Sequence, residues 1–155
     1  MTSDTAAPDF DAIRTGLSEA VPFVRTLGLE YLELSAERAL LRMPDRADLH
    51  NHVGGPHAGA MFSLGESATG AVVIGSFSDL LANFTPLAAG AQIRYRALAM
   101  GPVTAEARLG RPAEEIRAEL DDAGKVRFAV DVVIRDGAGT TTAEMTVSWA
   151  LRPNR

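Results

Sequence analysis

One carboxylate stands alone in the most apolar part of this sequence. Across Val53–Phe77, Glu66 is the only formally charged side chain, and no Arg or Lys lies within a helical turn of it. A carboxylate in the middle of a buried helix is costly unless it is paired, protonated or used in function. A glutamate at a helix edge that reaches water is the simpler interpretation. The apolar neighbours Leu64, Ala68 and Ala71 favour a functional carboxylate instead.

The segment before Glu66 is typical of a loop that binds a ligand. It reads Asn51-His52-Val53-Gly54-Gly55-Pro56-His57-Ala58-Gly59, so glycines and a proline directly precede the predicted helix. The first N–H groups of a helix have no partner inside it, and together with the helix dipole they suit a carbonyl oxygen that becomes an oxyanion. Glu66 follows Gly59 by about two helical turns. A flexible loop before a core helix would explain the glycines but not the carboxylate.

Other chemistry finds less support in the sequence. The three histidines have no acidic or cysteine ligand at a typical spacing, so we predict no metal site and no cofactor: His50, His52 and His57. The segment Gly65–Thr69 has a nucleophile-elbow pattern only in part, because it lacks the final glycine and lies inside a helix. Arg94 and Arg96 share one strand face, which is usually a solvated face but could meet phosphates.

The elements around these residues predict an α+β fold. The stretch from His57 to Phe77 is apolar nearly all round, as expected of a buried helix. Alternating apolar residues predict about six strands, each with one apolar face, among them Ala91–Arg96, Val103–Leu109, Val126–Ile134 and Thr141–Leu151. An antiparallel sheet wrapped around a long central helix satisfies both patterns. Gly65 and Gly70 inside that helix indicate a close approach by another group.

The flanking segments give shorter elements. Apolar residues from Phe10 to Val21 recur at helical spacing, and Pro22 should end or bend this helix. From Leu27 the period changes to two, and together with Arg38–Met43 this predicts a hairpin. The polar segment Pro112–Gly124 contains a predicted helical turn. We therefore divide the chain into an N-terminal segment with a short helix, residues 1–19, and a single domain, residues 20–155.

Composition bounds the function classes. The chain has 155 residues, a net charge of −5 and no cysteine, which excludes disulfides, thiolate nucleophiles and Cys-ligated metal clusters. Its acidic balance offers no basic footprint for nucleic acid or an anionic membrane. Val53–Phe77 is interrupted by Gly, Pro and Glu, so we interpret it as a core helix and not a membrane span. The N-terminus lacks a secretory signal pattern. We expect a cytoplasmic protein without nucleic-acid or membrane partners.

At these residues the sequence resembles the hot-dog fold acyl-CoA thioesterases of the PaaI type. Their signature is Asn, two residues, Gly, two residues, His-Gly-Gly, and then an apolar helix that carries Asp or Glu. This chain matches with Asn51, Gly54, His57-Ala58-Gly59, Leu64 and Glu66. The similarity covers about residues 20 to 152. It implies a hot-dog fold, a homodimer joined edge to edge that often pairs into tetramers, and thioesterase sites at the dimer interface.

The resemblance also implies roles for individual residues. Glu66 of one subunit would act as general base or nucleophile on an acyl-CoA or acyl-carrier-protein thioester. Asn51 and the amides of Ala58 and Gly59 would come from the other subunit and bind the thioester carbonyl or the attacking water. His57 would fix the loop. We expect the substrate to contact a further set of residues: His57, Gly55, Phe62, Gly70, Arg94 and Arg96.

Three positions depart from the family pattern. Ala58 replaces the first Gly of the pair, Glu66 replaces the commoner Asp, and Gly70 stands where some relatives carry a hydroxyl that positions water. A non-catalytic module that binds acyl thioesters or lipids is therefore the alternative function. A hot-dog dehydratase is the least supported function. It needs a paired Asp and His early in the helix, and His52 stands where the Asp would be, five residues before His57.

Overall fold

A 20-residue helix, α3 (Ala58–Phe77), occupies the centre of the computed structural model, which describes residues 7–155. The imidazole of His57 accepts a hydrogen bond from the Gly59 N–H and caps the first turn. Eleven of the 20 residues are buried, on all sides of the helix. The predicted central helix is confirmed with its bounds, because a helix enclosed all round needs no polar face.

Six antiparallel strands form one sheet around α3. Their order is β1-β2-β4-β5-β6-β3, so β1 and β3 are the two edges. The strands are β1 (Glu30–Ser35), β2 (Arg38–Met43), β3 (Phe84–Tyr95), β4 (Val103–Leu109), β5 (Val126–Asp136) and β6 (Thr141–Pro153). The predicted α+β architecture, with a sheet wrapped around a long helix, is confirmed. It is the arrangement that the hot-dog resemblance implies.

The core lies between the concave face of the sheet and α3. Every second residue of β4 and β5 is buried, as the alternation of the sequence predicts. Fully buried side chains from four elements meet there, among them Leu41, Leu64, Val103 and Ile134. Each contributes about 1.5–3 kcal/mol by leaving water. This packing fixes the rotation of α3, and with it the direction of each helical side chain.

The edge strand β3 is longer than predicted and is largely exposed. It begins at Phe84, whereas the sequence pattern predicts a strand only from Ala91. Pro86 and Gly90 break the pattern, yet a proline is tolerated in an edge strand because the missing N–H would face solvent. Along β3 only three residues are even half-buried: Phe84, Pro86 and Ile93.

Two short helices precede the sheet. Helix α1 (Phe10–Ala20) ends before Pro22, as predicted, and a second helix, α2 (Pro22–Leu27), begins at that proline. The prediction that Leu27 belongs to a strand is wrong: it is the last residue of α2, and Gly28 follows with a φ of +67°. Residues 1–6 of the predicted N-terminal segment lie outside the described residues. Helix α4 (Ala113–Ala123) extends the helical turn predicted before β5.

Among the described residues, the segment Ala58–Leu80 alone is long and apolar enough to cross a membrane, and 67% of its apolar stretch is buried inside the protein. The central helix of a folded domain can have the same length and apolar composition. The sheet wrapped around α3 accounts for its apolar character.

Candidate active site

Glu66 lies on the third turn of α3 and is half-buried. Among the described residues its carboxylate has neither a hydrogen-bond partner nor an ion-pair partner. Burial raises the pKa of this carboxyl above the ordinary value for glutamate. A carboxylate with a raised pKa and unoccupied oxygens is suited to accept a proton or to attack a carbonyl.

The carboxylate lines a small cavity of about 220 Å³. One wall is the face of α3, with Ser67, Gly70, Ala71 and Ile74 beside Glu66. The opposite side consists of Leu17 of α1, Val24 of α2 and Val21 between them, and the sheet contributes Tyr31, Pro86 and Trp149. Most of these side chains are apolar. The structure thus brings two predicted site residues, Glu66 and Gly70, into one cavity.

Tyr31 is the second polar group in this cavity. Burial, and next the nearby negative charge of Glu66, raise the pKa of its phenol to about 12. Tyr31 therefore remains a neutral hydrogen-bond donor at any physiological pH. In the sequence it alternates with Leu29 and has the pattern of an apolar strand face, so no signal there marks it as a site residue.

A chain of two hydrogen bonds joins the helical turn of Glu66 to β6. The indole Nε1–H of Trp149 donates to the Thr69 hydroxyl at 2.9 Å, and that hydroxyl donates to the Glu66 carbonyl oxygen at 2.7 Å. Thr69 is fully buried and Trp149 is 8% exposed. A methyl group added to Gly70 would lie 3.6 Å from the indole ring, an ordinary van der Waals contact, so the expectation that Gly70 is needed for a close approach is wrong. At Gly65 an added methyl would lie 2.6 Å from the Met145 sulfur, and there the expectation is confirmed. This chain fixes the ring as a wall of the cavity.

The loop before α3 is organised by Asn51. Its side-chain oxygen accepts from the Val53 N–H at 3.0 Å and from the Gly55 N–H at 3.2 Å, while its amide donates to the Pro56 carbonyl at 3.3 Å. These contacts bend the loop back on itself. The Asn51 side chain thus holds the loop, and its predicted role toward the substrate stays a prediction.

Of the two amides in the first turn of α3 that the sequence predicts for oxyanion binding, one is occupied and one is open. The Gly59 N–H donates to His57 Nδ1 at 2.9 Å, whereas the Ala58 N–H has no acceptor among the described residues. The phenol of Tyr95, at the end of β3, donates to the Ala58 carbonyl at 2.8 Å and joins this turn to the edge strand. Ala58 therefore retains the open amide that the sequence predicts for oxyanion binding.

One protomer does not bring Glu66 together with the loop residues. Asn51 and Ala58 line a different concavity of about 420 Å³, next to Tyr95 and Arg96. Eight residues of helix separate Ala58 from Glu66, or about 12 Å along the axis. The two halves of the predicted site thus lie apart within a single chain.

The remaining predicted residues lie in several places. Phe62 is half-buried against the core, and Gly55 lies where an added Cβ would be 2.2 Å from the Ala99 carbonyl oxygen. Arg94 and Arg96 lie on the outer face of the sheet, since Ile93, the residue before Arg94, is half-buried and packs against the core. Arg96 pairs with Glu144 at 2.9 Å. These arginines are not near Glu66 in one protomer.

Two of the three histidines have local partners. His50 Nε2 lies 2.5 Å from an oxygen of Asp45, and His57 caps α3. Within residues 7–155 no group of three His, Cys, Asp or Glu side chains could hold a metal ion.

Comparisons with known proteins identify the family and support the fold. The family described as "Domain of unknown function (DUF4442)" matches residues 11–151. A solved Pseudomonas aeruginosa protein of unknown function, named a probable thioesterase, is 31% identical; the match covers 93% of this chain and 95% of that one, with a TM-score of 0.81. No curated protein matches the sequence.

Two further solved structures have the same fold at lower identity. The Escherichia coli PaaI protein, from the phenylacetic acid degradation operon, is 17% identical over 92% of each chain, with a TM-score of 0.73. A thioesterase family protein from Silicibacter pomeroyi is 17% identical over 94% of this chain and 99% of that one, with a TM-score of 0.75. These likenesses confirm the hot-dog fold and the resemblance noted from the sequence motif.

Proposed function

The chain belongs to the DUF4442 family and has the hot-dog fold, and on that basis we propose that it hydrolyses acyl thioesters of coenzyme A or of a carrier protein, with Glu66 as the reacting carboxylate. The observation that carries this proposal is the carboxylate itself. It is half-buried, lines an apolar cavity and has no partner among the described residues. Such a group costs stability, and catalysis is a physical reason to keep it.

The chemistry requires little more than this carboxylate and one amide. A thioester is already activated, so hydrolysis needs stabilisation of the oxyanion and delivery of water or formation of an acyl intermediate. The raised pKa makes Glu66 a better base at neutral pH than an exposed glutamate. The open Ala58 N–H at the positive end of α3 suits the developing oxyanion.

A site shared between two subunits would bring together Glu66 and an Ala58 amide, which lie apart within one chain. Within one chain Glu66 and Ala58 lie in separate concavities, so the amide that meets Glu66 would be that of Ala58 of the partner subunit. The exposed edge strand β3 supports such a dimer, since an unpaired edge presents free backbone groups to a second chain. Tyr95 on β3 would then link the interface to the first turn of α3.

The second candidate function is a module that binds acyl thioesters without hydrolysing them. The observation in its favour is that the Asn51 side chain and the Gly59 amide have partners inside their own loop. Under this alternative Glu66 would lie in the cavity without taking part in a reaction. The two functions differ in what Glu66→Gln does.

The experiment measures free thiol released from a panel of acyl-CoAs by wild type, Glu66→Gln and the control Glu115→Gln, which alters an exposed glutamate of α4. We expect wild type and Glu115→Gln to release thiol equally. Glu66→Gln should lose on the order of 10²–10⁴-fold, the usual contribution of a positioned acid or base. Full activity in Glu66→Gln would refute the catalytic assignment, and no thiol release by wild type would favour the binding module.

Single turnover in ¹⁸O-labelled water tests whether Glu66 acts as the nucleophile. A nucleophile forms an acyl-enzyme anhydride; attack of water at its Glu66 carbonyl carbon leaves label in the Glu66 carboxylate, whereas attack at the acyl carbonyl carbon labels only the released acid. A general base acquires no label in its own side chain. Mass spectrometry of the peptide that contains Glu66 reads out the difference.

A further inference from the structure

The cavity beside Glu66 also indicates which acyl group the protein takes. We infer that it receives the acyl part of the thioester, that it admits apolar, uncharged acyl groups of roughly six to eight carbon atoms, and that Trp149 is the wall that sets this limit. This inference rests on the proposed function for the identity of the ligand. Its evidence is separate: the volume, the lining and the fixed position of the indole.

The volume sets the size. At about 220 Å³ the cavity is smaller than the sites of drug-sized ligands, which occupy about 300–1,000 Å³. It holds about seven groups the size of a water molecule, at about 30 Å³ each. A methylene group is similar in size to a water molecule, so the acyl part of a thioester fits but the coenzyme does not.

The lining sets the chemical class. Eight of the eleven lining residues offer only apolar groups or backbone: Leu17, Val21, Val24, Gly70, Ala71, Ile74, Pro86 and Trp149, whose one polar atom is engaged with Thr69. The polar side chains are Glu66, Tyr31 and Ser67. An acyl group that carries its own carboxylate would meet the negative charge of Glu66 and apolar walls. The cavity therefore selects against dicarboxylic acyl groups.

Trp149 is a fixed wall and not a movable one. Its Nε1–H is bonded to a fully buried hydroxyl of α3, and its ring lies against the Gly70 position of the same helix. To swing away, the ring would have to leave Thr69 without its donor and open the contact between β6 and α3. The ring thus limits how far an acyl chain can extend.

The sole tryptophan of the sequence allows a test that does not depend on hydrolysis. Trp149 fluorescence is titrated with butanoyl-, hexanoyl-, octanoyl-, dodecanoyl- and succinyl-CoA and with free coenzyme A, on Glu66→Gln protein so that no substrate is consumed. We expect affinity to rise about fourfold for each methylene group up to the limit, since a buried methylene is worth about 0.8 kcal/mol. Dodecanoyl-CoA and the free coenzyme should leave the fluorescence unchanged. Succinyl-CoA should do the same, because its carboxylate would still meet apolar walls when the charge of Glu66 is removed.

Gly70→Ala tests the wall directly. The added methyl fits at 3.6 Å from the indole without displacing it, so it takes space from the cavity and should shorten the limit by one or two methylene groups. Ile74→Ala on the same face should lengthen the limit. The control is Gly16→Ala, also a helical glycine, whose added methyl meets nothing within 4 Å. It should leave the chain-length profile unchanged.

The outcomes separate the two proposals. A length limit that shifts in Gly70→Ala supports the cavity assignment even if wild type hydrolyses nothing. Equal response to hexanoyl- and dodecanoyl-CoA, a response to free coenzyme A, no response to any acyl-CoA, or a profile unchanged by Gly70→Ala would each overturn it, whether or not thiol release is observed.

Discussion

The hydrogen-bond chain between β6 and α3 gives the sharpest test of how the cavity is built. Thr69→Val keeps the shape of the side chain and removes only the hydroxyl, which accepts from Trp149 and donates to the Glu66 carbonyl. The indole N–H of Trp149 is then left without an acceptor, and the residue is only 8% exposed to solvent. The Glu66 carbonyl keeps its helical hydrogen bond, so its loss is small.

The expected loss of stability follows from the indole N–H that is left without an acceptor. A buried polar group without a partner costs about 1–3 kcal/mol. For a chain of this length 1 kcal/mol shifts the midpoint of thermal unfolding by about 2–4 °C, so about 2 kcal/mol should lower it by about 4–8 °C. Trp149→Phe also destabilises, through the lost hydrogen bond and the smaller ring. In the double variant no buried N–H lacks an acceptor, so the losses of stability from the two single substitutions should be less than additive by about 1–2 kcal/mol.

The assay is urea unfolding followed by circular dichroism, at one protein concentration because assembly shifts apparent stability. The control is Thr85→Val, which removes an exposed hydroxyl bonded to Asn154 and should change stability by no more than about 0.5 kcal/mol. Strict additivity of Thr69→Val and Trp149→Phe, or a Thr69→Val variant as stable as wild type, would refute the argument that this bond fixes the indole.

Four further properties of the protein can be measured. The rate of thiol release should rise with pH, with a midpoint above the ordinary glutamate pKa of 4.5, because burial raises the pKa of Glu66 and a general base must be ionised. A pH-rate profile with its midpoint at or below 4.5 would contradict this. The free energy of unfolding should depend on the same carboxyl. The stability that protonated Glu66 contributes is lost as pH rises through its raised pKa, so Glu66→Gln should be as stable as wild type below about pH 4 and more stable at neutral pH. Gly55→Ala places a methyl 2.2 Å from the Ala99 carbonyl oxygen and should cost about 1–3 kcal/mol in thermal unfolding, whereas Gly137→Ala meets open space and should cost little. Light scattering at micromolar concentration should give the mass of a dimer or tetramer, and a strictly monomeric mass would contradict a site shared between subunits.

Much of the fold could be predicted from periodicity. Helix α3 is apolar all round, and burial alternates along β4, β5 and the Ala143–Trp149 part of β6, so both patterns indicate their elements directly. The first half of β3 could not be found in this way. Its inward face has only the edge of the core to bury against, so the sequence from Phe84 to Gly90 carries no alternation and includes a proline.

The candidate site was predictable only where chemistry and spacing coincide. Glu66 is conspicuous because charge is rare in its surroundings, and the loop before α3 is conspicuous for its glycines. Tyr31, Thr69 and Trp149 have no such signal, because each occupies a position that an ordinary core residue would fill. Thr69 and Trp149 are 80 residues apart, and only the folded sheet brings them together.

The strand order has a consequence for how the protein is made. Strand β3 leaves the ribosome directly after α3, yet its partner in the sheet is β6, the last strand. During synthesis β3 must therefore remain unpaired for about 50 more residues until β6 is available. Trp149 arrives with β6, so the wall of the cavity is among the last parts of the chain to be synthesised. Nascent chains stalled before β6 should bind chaperones and should lack the cavity, whatever the integrity of their Glu66 helix.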